Sequence, residues 1–214
     1  LFVGVSEGEN VRVVECGDFP LKNADEFDSV VETLQQAVQV IENTTRVDVH
    51  DVYVGIAGKH VRSLDTQGIV TLPMGEVREE DIDNVTKQAS TLPASAGEII
   101  HIFPGEYNLD DEPHIRNPKG RSGRRLGVDV QVVTVKQNAL QNLAKCVSRA
   151  GLNVAGFVLE PLAAASAVLT NDERELGVAL VDIGAGTADI AVFVNESVRF
   201  TFSYEYAGNS ITSD

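Results

Sequence analysis

The stretch Leu180-Val-Asp-Ile-Gly-Ala-Gly-Thr-Ala-Asp-Ile-Ala-Val-Phe193 says most about the fold of this chain. One apolar segment ends at Asp182, a glycine-rich turn follows at 184–187, and a second apolar segment begins after Asp189. Two strands joined by such a turn form a β-hairpin. Glycine tolerates positive φ and has no Cβ, so a ligand can approach the backbone closely. The pattern therefore predicts a hairpin with an accessible backbone at its turn.

The turn of this hairpin also has the composition of a phosphate site. Successive N–H groups in a turn can form a concave nest for an anion. Thr187 adds a hydroxyl, and Asp182 places a carboxylate where a phosphate-bound Mg²⁺ would lie. The motif is neither a P-loop nor a Rossmann fingerprint, because no Gly-Lys-Ser/Thr follows and the turn leads into a strand. An ordinary hairpin is the alternative, and the acids at both ends of the turn count against it.

Composition and charge describe a globular protein. Of the 214 residues, 43% are hydrophobic and 23% are charged, which allows one large domain or two smaller ones. The net charge is −15, so we expect neither nucleic acid nor anionic lipid as a direct ligand of this segment. No apolar run reaches the roughly 18–20 residues of a membrane span. Cys16 and Cys146 form no C-x-x-C pair, which indicates reduced thiols of a cytosolic protein.

Strand and helix patterns alternate along the chain, which predicts an α/β or mixed α+β fold. Because the chain opens inside an apolar strand and closes where a helix would begin, we expect it to be part of a longer protein. Helices are predicted at 25–41, 82–89, 137–150 and 162–169, and Gly151 closes the third of them. Strands are predicted at 52–57, 61–63, 69–72, 98–103, 106–109, 128–135, 154–159 and 198–206. A polar loop is predicted at 114–125.

Three further residues are predicted to lie near the phosphate. Glu160 ends a buried strand, and open α/β sheets bind ligands at the carboxyl ends of strands. A carboxylate there could orient a water for attack on a γ-phosphate, whereas the alternative is a Glu that only suits the helix dipole. Gly208 and Asn209 stand where a strand passes into a helix, whose free N–H groups favour an anion. A simple glycine-bearing N-cap would give the same pattern.

The segment 116–125 holds five of the chain's 17 basic residues. It is either a contact for an acidic partner or a solvated loop. The four His residues have no metal-ligand spacing, so they carry no prediction of a metal site.

Several motifs resemble a known family. The pattern D-I-G-x-G-T-x-D at 182–189 resembles the second phosphate loop of the actin, sugar-kinase and DnaK-type chaperone superfamily. Residues 72–146 correspond to subdomain 1C, an insertion that the bacterial cell-division FtsA family has and actin lacks. Five longer segments resemble that FtsA family and occur in its order, namely 52–60, 75–83, 115–126, 168–178 and 206–214.

The resemblance implies an actin-like (ribonuclease H-like) ATPase fold that binds ATP and Mg²⁺. It also implies a protein that polymerises and anchors the FtsZ ring to the inner face of the cytoplasmic membrane through a C-terminal helix. Subdomain 1C would contact neighbouring protomers and later division proteins. The expected divisions are 1–72 and 147–192 for subdomain 1A, 73–146 for the inserted subdomain 1C, and 193–214 for the start of the second actin-like half.

The family's site residues carry over position by position. The phosphate loop would comprise Asp182, Gly184, Ala185, Gly186, Thr187 and Asp189. Asp182 would hold Mg²⁺ through water, and Glu160 would lie beside the attacking water. Gly208 and Asn209 would lie near the phosphates. Ala185 and Ala188 replace the Gly and Thr of many relatives. The first phosphate loop is expected before Leu1 and the adenosine-binding half after Asp214, so at most weak ATPase activity is expected, and little from this segment alone.

Two other members of the superfamily remain as alternatives. A phosphotransfer enzyme, such as a sugar kinase or exopolyphosphatase, needs a general base, and Glu160 is its only candidate. A chaperone ATPase of the DnaK type does not account for the insertion.

Overall fold

The computed structural model describes residues 2–7, 10–20, 26–73 and 75–213. Strands β1 to β11 are Phe2–Glu7, Asn10–Cys16, Asp51–Ile56, Val61–Thr71, Glu98–Leu109, Glu112–Ile115, Arg125–Val135, Asn153–Leu159, Val178–Ile183, Ala188–Val194 and Ser197–Tyr204. Helices α1 to α6 are Phe27–Thr45, Glu79–Ala89, Gln137–Arg149, Glu160–Val168, Asn171–Leu176 and Gly208–Ser213. The predicted first residue of α1, Asp25, lies outside the described residues.

The chain forms two compact units, residues 1–54 with 138–157 and residues 55–137 with 158–214. In the first unit, α1 buries Val31, Val38 and Ile41, which recur at helical spacing. Helix α3 ends as predicted, because Gly151 adopts φ +88° and the Leu152 N–H then donates back to the carbonyl of Val147.

The second unit contains a four-stranded antiparallel sheet in the order β4-β7-β5-β6. Alternate side chains of β7 are buried, namely Leu126, Val128, Val130 and Val132. Helix α2 packs on this face so closely that a Cβ at Gly68 would lie 2.3 Å from the carbonyl oxygen of Val85. Glycine is therefore required where the helix crosses β4.

Two of the predicted strand breaks in this sheet are wrong. Strand β4 is continuous, because β7 pairs with it from Val61 to Thr71 through the polar stretch 65–68. Strand β5 continues past Pro104, where a register shift between Pro104 and Tyr107 accommodates a residue that has no N–H. The first two residues of the predicted loop belong to β6, and helix α5, capped by Thr170 and Glu173, was not predicted.

The second unit also contains a three-stranded antiparallel sheet, β11-β10-β9. Strands β10 and β11 join through a tight turn in which Asn195 and Glu196 have φ of 53° and 63°. One face of this sheet is buried, and it carries Asp189, Ala191 and Phe193. The opposite face is apolar but exposed, with Val181, Ile183, Phe200, Phe202 and Tyr204 between 48% and 65% accessible.

Candidate functional site

The predicted phosphate hairpin is formed by β9 and β10. The Gly184 N–H donates to the Thr187 carbonyl at 2.9 Å and closes the turn. Neither Gly184 nor Gly186 has positive φ, so the conformational reason expected for these glycines is wrong. A Cβ on Gly184 would lie 3.3 Å from the Thr187 carbonyl oxygen, whereas no atom lies within 4 Å of where a Cβ on Gly186 would stand, so the turn is open at Gly186.

The main-chain N–H groups of this loop remain available. Within the described chain, the N–H groups of Ala185, Gly186 and Thr187 have no protein acceptor. Residues 182–186 are exposed. Three neighbouring donors on an open turn are suited to an anion that bears several oxygen atoms.

Helix α6 braces this loop from the other side. The Gly208 N–H donates to the Gly184 carbonyl at 3.1 Å, and the Asn209 N–H donates to the Ala185 carbonyl at 2.8 Å. A Cβ on Gly208 would lie 3.1 Å from the Gly184 oxygen. The structure thus brings both predicted residues to the loop, where their N–H groups hold its backbone; contact of either residue with phosphate stays a prediction.

Two carboxylates face each other across the hairpin. Asp182 of β9 pairs directly with Asp189 of β10, so both side chains lie on the same face. Asp189 is only 4% accessible, whereas Asp182 is exposed. Like charges placed directly opposite each other destabilise a sheet, and a cation beside them would relieve that cost.

Glu160, the first residue of α4, lies close enough to interact with both acids. Partial burial raises the pKa of Glu160 above its ordinary value, and the negative charges of Asp189 and then Asp182 raise it further. The residue is nevertheless exposed to solvent. A Cβ on Gly55 would lie 3.1 Å from Glu160 Cγ and Oε1, so the absence of a side chain there leaves room for the glutamate.

The acids do not form a metal cage by themselves. Among the residues that the structure describes, no group of three or more His, Cys, Asp or Glu side chains could hold a metal ion. Mg²⁺ usually takes one or two carboxylates together with phosphate oxygens and water. The two opposed acids and the open turn beside them fit such a shared site, with Asp182 as the accessible carboxylate.

Sequence reasoning missed a hydrogen-bonded serine behind Asp189. The Ser203 hydroxyl donates to Asp189 Oδ1 and accepts the Gly58 N–H at 2.8 Å. The alternation of β11 was a usable signal, because Thr201 and Ser203 interrupt its aromatic residues on the face that carries Asp189.

A histidine near Glu160 was also missed. His101 Nε2 accepts the Leu159 N–H at 3.0 Å, directly before Glu160. Burial lowers the pKa of His101, which keeps its acceptor nitrogen unprotonated. No local sequence signal could have found this contact, because the two residues are 58 positions apart.

The basic segment 116–125 is largely neutralised within the protein. Arg116 pairs with Glu175 at 3.4 Å, Lys119 with Glu79 at 2.6 Å, and Arg121 with Glu112 at 3.0 Å. These partners lie on other elements of the second unit. Of the two alternatives for this segment, these exposed ion pairs favour a solvated loop over a contact for an acidic partner.

The fold defines the class of protein first. A solved structure titled "PilM-PilN type IV pilus biogenesis complex" superposes with a TM-score of 0.54 at 16% identity, covering 95% of this chain and 56% of that one. The chain has the mixed α/β fold of the actin-like ATPases, as predicted.

Sequence comparison then identifies the family. A cell division protein FtsA from Pseudomonas aeruginosa is 40% identical over 217 aligned positions, covering 98% of this chain and 52% of the relative. The FtsA of Escherichia coli K12 is 36% identical over 210 positions, covering 95% of this chain and 50% of the relative. A family model described as "SHS2 domain inserted in FTSA" matches residues 58–134. The chain belongs to the FtsA family, and it spans about half the length of the curated relatives that it matches.

The match at 58–134 includes β4, which precedes the boundary at residue 73 expected for the insertion. The subdomain limits 1–72, 73–146, 147–192 and 193–214 stay predictions. Among the described helices, none is long and apolar enough to cross a membrane.

Proposed function

We propose that this chain supplies the second phosphate loop, a Mg²⁺ ligand and the water-positioning acid of an actin-like ATPase that acts in bacterial cell division. The observation that carries the proposal is one arrangement: three available N–H groups at 185–187 lie between two opposed carboxylates. An ordinary hairpin gains nothing from placing Asp182 opposite Asp189, whereas a phosphate-bound cation would offset their repulsion.

Each group has a distinct part in this site. The loop N–H groups bind phosphate oxygens, while Asp182 holds Mg²⁺ through water on the accessible side of the hairpin. Glu160 orients the attacking water. The direction of its pKa shift is favourable for that part, because a raised pKa makes the carboxylate a stronger base.

Family membership supports a wider role for the whole protein. We infer that it polymerises with ATP bound and anchors the FtsZ ring at the inner face of the membrane through a C-terminal helix. The inserted domain contacts neighbouring protomers and later division proteins. A scaffold of this kind needs little turnover, so ATP hydrolysis is weak.

Calorimetry of Mg-ATP binding to the full-length protein tests the site. Asp182→Ala removes the exposed carboxylate and should abolish Mg²⁺-dependent nucleotide affinity while circular dichroism stays unchanged. Asp83→Ala is the matched control, because Asp83 is an exposed acid on α2 within the same unit. Equal Mg-ATP affinity of wild type and Asp182→Ala would refute the assignment of the metal ligand.

A further inference from the structure

One hydrogen bond joins the inserted domain, taken as the matched residues 58–134, to the start of α4. His101 lies on β5, and its Nε2 accepts the N–H of Leu159, the N-cap residue that precedes Glu160. The imidazole stacks on Phe103 with ring centroids 5.7 Å apart and an interplanar angle of 28°. The ring is therefore held in place, and its bond fixes the main chain directly before Glu160.

A second path reaches the other acid. Gly58 is the first residue of the inserted domain. Its N–H donates to Ser203 Oγ. The Ser203 hydroxyl in turn donates to the buried carboxylate of Asp189. Gly58 has φ +87°, a conformation that a residue with a side chain rarely adopts, so the position of this N–H depends on glycine.

The inserted domain is attached to a second hairpin, formed by β10 and β11, at two further points. The Gln131 side chain donates from Nε2 to the Arg199 carbonyl at 2.8 Å. The Asn195 amide donates to Glu106 Oε1, also at 2.8 Å, at the far end of the same hairpin. A shift of the inserted domain would therefore strain or break contacts along the whole length of β10 and β11.

We propose that His101 and Ser203 are positioning residues through which the inserted domain sets the geometry of Glu160 and Asp189. This inference rests on the proposed function of the site. Because a displacement of about 1 Å in a catalytic group can cost on the order of 10²-fold in rate, loss of either hydrogen bond should slow ATP hydrolysis.

The test compares His101→Phe, which keeps a ring but loses the acceptor, with His101→Gln, whose amide oxygen can accept the Leu159 N–H. In the full-length protein, His101→Phe should lower kcat for ATP hydrolysis by about tenfold or more with KM within about twofold, and His101→Gln should recover part of kcat. His50→Phe is the control, since His50 is an exposed histidine of the first unit.

A second readout does not depend on hydrolysis. In amide hydrogen exchange, the Leu159 N–H should exchange faster in His101→Phe than in wild type, and His101→Gln should restore part of its protection. If that variant does not fold, Ser203→Ala and its conservative counterpart Ser203→Thr take its place, with the hydroxyl as the group restored.

The outcomes separate the two claims. A wild-type protein that neither binds nor hydrolyses Mg-ATP would refute the proposed function, and the exchange rate of the Leu159 N–H in His101→Phe would still test whether His101 holds the main chain before Glu160. An active wild type whose kcat is unchanged in both His101→Phe and Ser203→Ala, or a Leu159 N–H whose exchange rate is unchanged in His101→Phe, would overturn the inference. If His101→Phe loses kcat, affinity and thermal stability together and His101→Gln recovers none of them, the role of His101 is structural only.

Discussion

The opposed acids of the hairpin predict that one substitution will have opposite effects on stability and on ligand binding. Asp182→Asn keeps the shape of the side chain and removes one of two like charges that face each other across β9 and β10. Without metal, the variant should be more stable than wild type. With Mg-ATP, wild type should gain stability that the variant does not.

The size of the effect follows from the geometry. Cross-strand pairs change stability by roughly 0.2–1 kcal/mol, and the lower end applies here because Asp182 is exposed and its charge is screened by salt. For a chain of this size, about 1 kcal/mol corresponds to about 2–4 °C in Tm. We therefore expect a rise of roughly 0.5–2 °C in metal-free buffer, larger at low salt.

Differential scanning calorimetry measures this difference, with EDTA for this chain and with saturating Mg-ATP for the full-length protein, each with and without Asp182→Asn. A ligand stabilises only a protein that binds it, by about 2.7 kcal/mol at a ligand concentration of 100 times Kd, and Tm rises accordingly. Asp83→Asn serves as the control for a generic loss of one negative charge from an acidic protein. A metal-free Asp182→Asn that is less stable than wild type, or that gains as much from Mg-ATP, would contradict the shared-cation reasoning.

Three more predictions follow from the same site and its supports. Glu160→Gln should slow ATP hydrolysis by roughly 10²–10⁴-fold and leave nucleotide affinity and filament sedimentation intact, and loss of affinity together with rate would make Glu160 a structural or metal-site residue. Residues 58–136, which include β4, should fold when expressed alone and give dispersed amide resonances. Residues 73–146 should give a less dispersed spectrum, because β7 then loses β4, its partner along its whole length. Equally dispersed spectra would favour the boundary at residue 73. Burial lowers the pKa of His101 from its ordinary 6.5, so the unfolded chain binds the proton more readily than the folded one. The free energy of unfolding should therefore be highest above about pH 6.5 and fall as the pH drops through the lowered pKa. Urea titrations should show a weaker pH dependence in His101→Gln, and an unchanged dependence of stability on pH would speak against a neutral buried histidine.

Local sequence determined the elements whose structure depends on short-range chemistry. The hairpin at 180–193 follows from alternating apolar residues around a glycine-rich turn, and α3 ends at Gly151 because only glycine adopts that conformation cheaply. The same local rules wrongly predicted a break within each of two strands, β4 and β5. The polar stretch 65–68 shows no alternation of its own and becomes strand only because β7, more than 50 residues later, supplies its hydrogen bonds.

The hairpin acids and the loop could be named from sequence because they are neighbours along the chain. The residues that hold them could not, because His101 and Leu159, like Gly58 and Ser203, meet only when distant segments pack together. A turn is determined by the φ and ψ preferences of a few adjacent residues. A hydrogen bond between segments 58 or 145 positions apart depends on how whole sheets pack, and no short stretch of sequence contains that information.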